Sequence, residues 1–311
     1  MLTVVFATRN GMRTLPHVLD AYLRLDAPEG GWKLVVVDNG STDQSREFVR
    51  SFSDRLPLTS ISERKPGKNA ALNAAIPLIE GDLVILTDDD TIPRADWLQR
   101  MRVAADTHPD YSIFGGVVLP RWEIAPPEWV VKWVPAGPVF TLTSPSLSEG
   151  PVEHHFIFGP NMAVRARVFH DGFRFDPTIG PQGTNYAMGS ETEFVKRLGR
   201  QGHGAWHVGT AQVEHYIRDF QTKESWILGR AIRMGRGMYR MGQTENGPEV
   251  AAWRGVPRYL FRELLTQSAI LASALLTFRR ETLFRARWNL NILRGQMIEA
   301  YRSRASAKQG P

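Results

Sequence analysis

Three consecutive aspartates, Asp88, Asp89 and Asp90, have the clearest capacity for chemistry in this sequence. They follow the apolar, strand-like residues 84–86, and Pro93 comes shortly after them. Adjacent carboxylates repel one another and lose hydration when they are packed, so an enclosed cluster needs a cation. Hard divalent ions such as Mg²⁺ or Mn²⁺ take oxygen ligands and often share them with substrate phosphates. The cluster therefore predicts either a metal and phosphate site at a strand end or a solvated acidic turn.

Two further polar clusters stand where predicted strands end. The first follows the apolar residues 2–7, and the second follows residues 33–37. Because ligands of an open parallel sheet bind beyond the carboxyl ends of its strands, these clusters and the aspartates should converge on one rim. That convergence favours the metal and phosphate site over the solvated turn. The residues in the two clusters are Thr8, Arg9, Asn10, Asp38 and Asn39.

Strands and helices alternate along the first 119 residues of the chain. Apolar runs bounded by turn residues predict the strands, and apolar positions at helical spacing predict the helices. This alternation is typical of an α/β fold with a mostly parallel, doubly wound sheet between helices. The predicted strands are residues 2–7, 33–37, 58–62, 83–87 and 112–119, and the predicted helices are residues 15–23, 67–79 and 93–107.

The pattern changes after residue 119. Residues 120–151 are rich in proline and contain three tryptophans without clean periodicity. We expect this segment to bind an acceptor, and a structural flap is the alternative. Further along, the sequence predicts strands at residues 155–158, 205–208 and 212–216, and helices at residues 190–201 and 222–241.

Length and composition exclude several classes of protein. A chain of 311 residues can bury a substantial core. It has no cysteine, which excludes disulfides, thiolate metal sites and a cysteine nucleophile. The first residues are apolar and lack the basic segment and cleavage site of a signal peptide, so we expect a cytoplasmic protein.

Five short motifs occur along the chain in a defined order. Residues 36–43 form a polar turn after a strand, residues 67–75 a helix start rich in small residues, and residues 88–90 the acidic triplet. Residues 159–163 form a Gly-Pro-Asn turn, and residues 190–193 an acidic helix start. Together they resemble the nucleotide-binding turn, the adjoining helix start, the D-x-D motif, the acceptor-side turn and the acidic base motif of glycosyltransferase family 2. Enzymes of that family have the GT-A fold, a mixed, mostly parallel sheet flanked by helices.

The resemblance implies an inverting transfer of a sugar from a nucleotide-diphosphate donor to an acceptor hydroxyl, without a covalent intermediate. It implies that Asp90, together with Asp88, holds Mn²⁺ or Mg²⁺ against the diphosphate. Asp89 is expected to face the sugar or to shape the turn. A UDP-sugar is the expected donor. The residues expected to hold the donor are Thr8, Arg9, Asn10, Asp38, Asn39, Lys68, Asp88 and Asp89.

Two of these positions leave a question open. The family often has a second aspartate where this chain has Asn39. Because an asparagine amide both donates and accepts hydrogen bonds, the choice of nucleotide is not decided by this residue. Lys68 is expected to reach a phosphate or base oxygen, and a surface lysine is the alternative.

The acidic helix start supplies the expected general base. The family motif commonly reads Glu-Asp, whereas this chain has Ser190 followed by Glu191. Glu191 aligns with the expected base, and Glu193 is its competitor. A positioned base that takes a proton from the acceptor hydroxyl typically contributes ~10²–10⁴-fold to the rate.

Some basic residues have two interpretations. His215 ends a predicted strand, and the resemblance implies that it completes the metal shell or contacts the diphosphate; a packed, hydrogen-bonded histidine is the alternative. Arg230, Arg233 and Arg236 recur every three residues on one predicted helix. We expect them to form a solvated face, and phosphate contact is the alternative.

The positive charge is concentrated near the end of the chain. The net charge is +6, and residues 254–311 contain eleven Arg or Lys and three Glu. Amphipathic helices rich in arginine and aromatic residues suit an anionic membrane surface, so we expect residues 258–304 to contact the inner face of the cell membrane. Packing on the catalytic domain and a dimer interface are the alternatives. The apolar residues 264–278 are too short for a membrane span, which needs ~20 residues.

These patterns predict a GT-A catalytic domain at residues 1–245. It would consist of a nucleotide-binding half at residues 1–119 and an acceptor-side half at residues 120–245. A basic amphipathic helical extension would follow at residues 246–311. Docking at a membrane would suit a lipid-linked acceptor or a growing surface polysaccharide.

Other functions fit the sequence less well. A dinucleotide oxidoreductase needs the motif G-x-G-x-x-G after the first strand, and a sugar nucleotidyltransferase needs a glycine-rich loop at the same place. Residues 8–13, which follow the first strand, match neither sequence pattern. An inactive glycan- or membrane-binding protein on the same scaffold is a further alternative, although the chain keeps the carboxylates that the chemistry needs. We expect no nucleic-acid partner, because no recognised module is present.

Overall fold

The computed structural model describes residues 1–183, 186–246, 252–253 and 256–308, and it divides into two compact units. The predicted boundary at residue 245 and the predicted halves on either side of residue 119 stay predictions. The first unit comprises Met1–Glu123, Ala136–Thr178 and Ser190–Ile217, and the second comprises Ile124–Pro135, Ile179–Gly189 and Arg218–Pro311.

A mixed β-sheet forms the centre of the first unit. In the described part of the chain its strands are β1 (Leu2–Thr8), β2 (Trp32–Asp38), β3 (Leu58–Ser62), β4 (Leu83–Leu86), β5 (Thr91–Pro93), β6 (Tyr111–Trp122), β7 (Gly150–Pro151), β8 (Met162–Arg165) and β9 (Gly204–Ile217).

The sheet has the strand order β3-β2-β1-β4-β8-β6-β9-β5, and β7 also pairs with β9. The pairs among β1, β2, β3 and β4 are parallel, as is the long β6–β9 pair. β8 runs antiparallel to its neighbours β4 and β6, and β5 and β7 run antiparallel to β9. The predicted mixed, mostly parallel sheet is therefore confirmed. Because β1, β2 and β4 point the same way, their carboxyl ends share one rim.

Helices cover the sheet and build most of the second unit. The second unit contains the helices α5, α9, α10 and α11 and the short strands β10 (Ala252–Trp253) and β11 (Val256–Pro257). The helices are α1 (Leu15–Tyr22), α2 (Ser45–Arg50), α3 (Lys68–Ala75), α4 (Trp97–Thr107), α5 (Glu128–Trp133), α6 (Ala136–Phe140), α7 (Ala166–His170), α8 (Ser190–Arg200), α9 (Glu224–Asn246), α10 (Arg258–Leu276) and α11 (Arg280–Lys308).

The strands of the sheet are apolar on both faces, since successive side chains point to opposite sides. On β1, Phe6 packs in a core with residues of α1 and α4, among them Trp97. The neighbouring Val5 packs in a second core with residues of α3, α7 and α8, among them Phe194. This two-sided burial explains why the sequence of β1 reads as a continuous apolar run rather than an alternating one.

Several element boundaries differ from the predicted ones. The strands predicted at residues 205–208 and 212–216 are one strand, β9, whose register with β6 shifts between Gly116 and Val117. The strand predicted at residues 155–158 is replaced by a short 3₁₀ turn. The helix predicted from residue 93 starts only at Trp97, because residues 91–93 pair with β9 as β5.

The second unit has its own small core. Tyr239 of α9, Val256 of β11 and Leu260 of α10 pack with Leu293 and Ala300 of α11. No helix in the described ranges is both long enough and apolar enough to cross a lipid bilayer.

Candidate active site

The rim at the ends of β1, β2 and β4 gathers most of the predicted donor-binding residues. Thr8 and Asp38 end their strands and are aligned in register. The Thr8 hydroxyl donates a hydrogen bond of 2.6 Å to Asp89 Oδ2. A Cβ at Gly11 would lie 2.5 Å from Thr8 Oγ1 and 2.8 Å from Asp89 Oδ2, so any larger residue there would disturb this contact.

Asn10 joins the first two rim loops. Its side-chain oxygen accepts a hydrogen bond of 2.8 Å from the backbone amide of Thr42, and the backbone amide of Asn10 donates to Ser41 Oγ at 3.0 Å. Asn10 has a φ of 56°, a left-handed conformation that asparagine tolerates better than most residues. The adjacent Arg9 is exposed to solvent. Asn10 therefore fixes the loop geometry, while Arg9 is free to meet a ligand from the solvent side.

Asp38 is buried at the end of β2 and is held by Arg46 and Ser41. Arg46 Nη2 lies 2.8 Å from Asp38 Oδ2, and the Ser41 amide donates to Oδ1 at 3.2 Å. Burial alone would raise the pKa of Asp38, but the hydrogen bonds from Ser41 and Arg46 and the charge of Arg46 hold it below its usual value. The predicted nucleotide contact at Asp38 is thus an ionised acceptor at neutral pH.

The side chain of Asn39 connects the end of β2 to the loop before α3. Its oxygen accepts a hydrogen bond of 2.8 Å from the Gly67 amide. Its nitrogen donates to the backbone oxygens of Glu63 and Lys65 at 3.0 and 2.8 Å. An aspartate could not donate these last two bonds, which gives a structural reason for the departure from the family pattern at this position.

Lys68 lies between a donor-side carboxylate and the predicted general base. Its ammonium nitrogen is 2.5 Å from Asp88 Oδ1 and 2.5 Å from Glu191 Oε1. The Ser190 hydroxyl donates to the other oxygen of Glu191 at 2.7 Å. A Cβ at Gly159 would lie 2.7 Å from Glu191 Oε1, so glycine leaves the space that this carboxylate occupies.

The charges of this cluster shift the pKa values of its members. Burial alone would raise the pKa of Glu191, but the charge and hydrogen bond of Lys68 lower it to about 2. Burial also raises the pKa of Asp88, and it outweighs the opposing charge of Lys68. Burial would lower the pKa of Lys68, yet the two carboxylates raise it above its ordinary value. Lys68 is therefore cationic, and Glu191 is ionised.

Asp90 faces a histidine rather than the lysine. Its Oδ1 lies 3.5 Å from His215 Nε2, and β5 and β9 align Thr91 with His215. His215 Nδ1 lies 2.7 Å from the Phe140 carbonyl oxygen. Burial would lower the pKa of His215, but the charge and hydrogen bond of Asp90 raise it. In the neutral imidazole, the nitrogen that donates to the carbonyl leaves Nε2 with its lone pair, so Nε2 can then serve as a ligand on the Asp90 side. In the described residues, no group of three or more acidic or histidine side chains is arranged to hold a metal.

Glu193 is the alternative candidate for the general base, and its carboxylate pairs with Arg197 instead of Lys68. Its carboxylate is paired with Arg197, with 2.7 Å between Oε1 and Nε and 3.1 Å between Oε2 and Nη2. This is an i,i+4 pair along α8. The structure thus brings Glu191, and not Glu193, to Lys68 and Asp88.

Sequence reasoning missed several residues that support the site. Arg46 of α2 holds Asp38, and Gly159 leaves space for Glu191 across the fold. Ser190 belongs to the predicted acidic helix start, but its bond to the neighbouring Glu191 was not predicted. Asn161 is completely buried, and its side chain bonds the backbone oxygens of Val117 and Ala211 and the Trp97 indole. The Gly-Pro-Asn turn and the helix start at Ser190 had a sequence signal, since glycine followed by proline marks a turn and serine favours a helix N-terminus.

The family model described as glycosyl transferase family 2 matches residues 3–173, which is more than half of the chain. The chain therefore belongs to glycosyl transferase family 2. It is a glycosyltransferase with the GT-A fold, as its motifs predict.

Individual relatives are distant. The chain is 23% identical over 212 residues to the glucosyl-dolichyl phosphate glucuronosyltransferase of Haloferax volcanii, a match that covers 65% of each protein. The mannosyltransferase of Pyrobaculum calidifontis, solved with GDP-Man and Mn²⁺, superposes with a TM-score of 0.65 at 17% identity over 97% of this chain and 87% of that one. TarS of Staphylococcus aureus, solved with UDP-GlcNAc, gives a TM-score of 0.54 at 14% identity over 99% and 92%.

Proposed function

We propose that this chain is an inverting glycosyltransferase that moves a sugar from a nucleotide-diphosphate donor to an acceptor hydroxyl. Asp90 and Asp88 serve a divalent metal, and Glu191 is the general base. The observation that carries this proposal is the position of Lys68, 2.5 Å from both Asp88 and Glu191. A donor-side carboxylate and the proposed base thus meet at one cation.

On the donor side, the rim offers a set of polar groups suited to a nucleotide. Asp38 is an ionised acceptor that can take a hydrogen bond from a base or ribose donor. Arg9 and Lys68 are the cations that would contact the phosphate oxygens under this proposal. A UDP-sugar is the first choice of donor, although one structural neighbour was solved with GDP-Man and another with UDP-GlcNAc.

The residues present fit a divalent metal. Asp90 Oδ1 and His215 Nε2 offer one oxygen and one nitrogen ligand 3.5 Å apart, a donor set that suits Mn²⁺, whereas oxygen from Asp88 suits Mn²⁺ and Mg²⁺ alike. Such ions are commonly held by few side chains, with the substrate's phosphates supplying further oxygens. When bound, the metal stabilises negative charge on the departing diphosphate.

On the acceptor side, Glu191 takes the proton of the attacking hydroxyl while the bond from the anomeric carbon to the diphosphate breaks. The base stands opposite the leaving group in a single displacement, which inverts the anomeric carbon. The charge of Lys68 lowers the basicity of Glu191 in the donor-free state. When Lys68 turns to the donor's phosphates, this restraint is relieved, so that donor binding prepares the base.

The proposed acceptor is a lipid-linked sugar or a growing surface polysaccharide, used by an enzyme docked on the inner face of the cell membrane. One relative is named for action on glucosyl-dolichyl phosphate, which is a lipid-linked substrate. The eleven Arg and Lys of residues 254–311 give the end of this chain the charge that anionic lipids attract.

Glu191→Gln tests the assignment of the base. We expect this variant to show at least the thermal shift that the donor and Mn²⁺ give the wild-type protein, because Glu191 no longer competes with the donor's phosphates for Lys68. Transfer from labelled donor to a membrane extract should fall by ~10²–10⁴-fold. A screen of UDP-, GDP- and dTDP-sugars by thermal shift first identifies the donor.

Glu193→Gln is the matched control on the same helix turn. It loses a pair with Arg197 and should transfer sugar at close to the wild-type rate. If Glu193→Gln fails in transfer and Glu191→Gln does not, Glu193 is the base.

A further inference from the structure

An apolar groove opens between α10 and α11 in the second unit. It has a volume of about 630 Å³. One wall is a stripe along α11 whose positions recur at helical spacing, and the other wall comes from α10 and β11. The lining residues are Val256, Leu264, Leu290, Met297, Ile298 and Tyr301, with Arg294 and Arg302.

The charge of this groove has one sign. Arg294 and Arg302 are exposed and lie eight residues apart on one face of α11, about 12 Å along the helix axis. The lining contains no carboxylate, and within the described ranges neither arginine has an ion-pair partner. Arginine can place its aliphatic stem along an apolar wall while its guanidinium meets an anion at the surface. Tyr301, 66% exposed, adds a hydroxyl donor at the same edge.

An apolar wall with exposed guanidinium groups at its edge matches a molecule that has a hydrocarbon chain and an anionic head. We infer that this groove binds one chain of a lipid phosphate, with Arg294, Arg302 and Tyr301 at the phosphate. This is a site for a single lipid molecule, which differs from attraction of the whole protein to a charged surface. It lies within the second unit and requires no sugar transfer.

Decyl phosphate below its critical micelle concentration is a suitable probe, titrated calorimetrically into the full chain. We expect saturable binding at one molecule per chain. Shortening the probe from decyl to octyl phosphate should weaken binding, by about fourfold for each methylene that the groove buries. Decanol and inorganic phosphate, which each supply one half of the ligand, should bind at least tenfold more weakly.

A double variant, Arg294→Gln with Arg302→Gln, should weaken decyl phosphate binding at least tenfold. The matched control is Arg279→Gln with Arg280→Gln, an exposed pair outside the lining that removes the same charge from the same region. The control should bind within twofold of the wild type. Equal losses in the two double variants would overturn the proposal, because they would indicate attraction to net charge.

Three other results would also overturn it. The first is absence of saturable binding by the wild-type protein. The second is inorganic phosphate binding as tightly as decyl phosphate. The third is a dimer in light scattering that Arg294→Gln with Arg302→Gln dissociates, since the groove would then be filled by a second copy of the chain. Because the readout is binding alone, loss of this site is distinguishable from failure of the proposed transfer.

Discussion

Three identical residues in a row hold three different partners in this structure. Asp88 contacts Lys68, Asp89 accepts from Thr8, and Asp90 faces His215. Three carboxylates with the same partner would repel one another, whereas distributing them over a cation, a hydroxyl and an imidazole lowers that cost. This distribution supports Asp90 as the principal metal ligand and Asp89 as the residue that shapes the turn.

Asp90→Ala removes the proposed principal metal ligand. We expect the variant to lose the thermal shift that Mn²⁺ and a nucleoside diphosphate give together, and to lose metal-dependent transfer. EDTA should stop transfer by the wild-type protein. Asp96→Ala, which removes an exposed i,i+4 pair with Arg100, should leave both properties unchanged. Normal turnover of the wild-type protein in EDTA would refute the metal mechanism.

Lys68→Met leaves Asp88 and Glu191 facing each other without their shared cation. Removal of one partner from a desolvated ionic cluster destabilises a protein, here by roughly 1–3 kcal/mol because the group is not fully enclosed. We expect Mn²⁺ to raise the melting temperature of this variant more than that of the wild type, since a divalent ion can replace the lost charge. Transfer should nevertheless fall, because the donor loses the phosphate contact that we propose for Lys68.

Lys33→Met provides the comparison for Lys68. The side chains of Lys33 and Lys68 have similar exposures of 16% and 17%, but the partner of Lys33, Glu80, is 57% exposed. Loss of the Lys33–Glu80 ion pair should lower the free energy of unfolding by less than about 1 kcal/mol and leave the response to Mn²⁺ unchanged. An Mn²⁺ response in Lys33→Met as large as that in Lys68→Met would contradict replacement of the Lys68 charge by the metal.

The sequence was most informative about residues that stand at strand ends and least informative about their partners. Thr8, Asp38 and the aspartate triplet could be placed on one rim because parallel strands end together. The contact of Lys68 with Glu191 could not be predicted, since the two residues are 123 positions apart. The links of Asn39 to the loop before α3 also depend on a backbone path that spacing alone does not define.

At the scale of secondary-structure elements, the pairing of β9 is another feature that residue spacing did not predict. Two short strands were predicted where one long strand pairs with β6, β7 and β5. The interruption between the two predicted strands is a register shift within one strand, because Gly116 pairs with Val208 and Val117 with Gln212. A glycine inside a strand, here Gly209, often marks such an irregularity. β9 matters for the site because its pairing with β5 brings His215 to Asp90.

The interface of α9 and α11 contains a buried ion-pair cluster that the periodicity of the sequence did not predict. Arg236 was expected on a solvated face, but it is 3% exposed and lies 2.7 Å from Glu299. Arg240 contacts the other oxygen of Glu299 at 2.5 Å. The spacing of arginines on α9 was correct, but their partner is supplied by a helix about 60 residues later in the chain.

Glu299→Gln should destabilise the protein by about 3–5 kcal/mol at pH 7, because Arg236 is left buried without a counter-charge. Glu281→Gln on the same helix removes an exposed pair with Arg285 and should cost less than about 1 kcal/mol. Thermal unfolding of the three proteins measures both effects. Equal losses in the two variants would contradict a special role for the buried group.

The destabilisation by Glu299→Gln should also depend on pH. Burial alone would raise the pKa of Glu299, but hydrogen bonds from Arg236 and Arg240 lower it below the ordinary 4.5. A carboxyl whose folded pKa is lowered stabilises the protein above its unfolded pKa, and this stabilisation is lost as the pH falls through the folded pKa. The difference in melting temperature between wild type and Glu299→Gln should therefore narrow below pH 4.5 and be constant above about pH 6.

At the scale of the whole molecule, charge and exposed apolar surface occur in the same region of sequence. Along α10 and the turn after it, Leu265, Leu276 and Phe278 are 73%, 81% and 90% exposed. Phe278 has a φ of 53°, a conformation that costs a bulky residue about 1–2 kcal/mol, and the small buried fraction of its side chain offsets little of this cost. Arg279 and Arg280 follow directly and are exposed. Apolar side chains beside arginines are the composition of a helix that lies in an anionic membrane interface.

Leu276→Glu with Phe278→Glu tests membrane docking of the complete chain. Flotation with liposomes should recover the wild-type protein with vesicles that contain phosphatidylserine and much less of it with phosphatidylcholine alone. Each side chain should contribute roughly 1.5–3 kcal/mol when it enters the interface, so the double variant should bind at least tenfold more weakly. Val103→Glu alters a residue of α4 that is 62% exposed in the first unit, and it should float like the wild type. If Val103→Glu loses binding equally, or if the wild-type protein ignores anionic vesicles, α10 does not dock on a membrane.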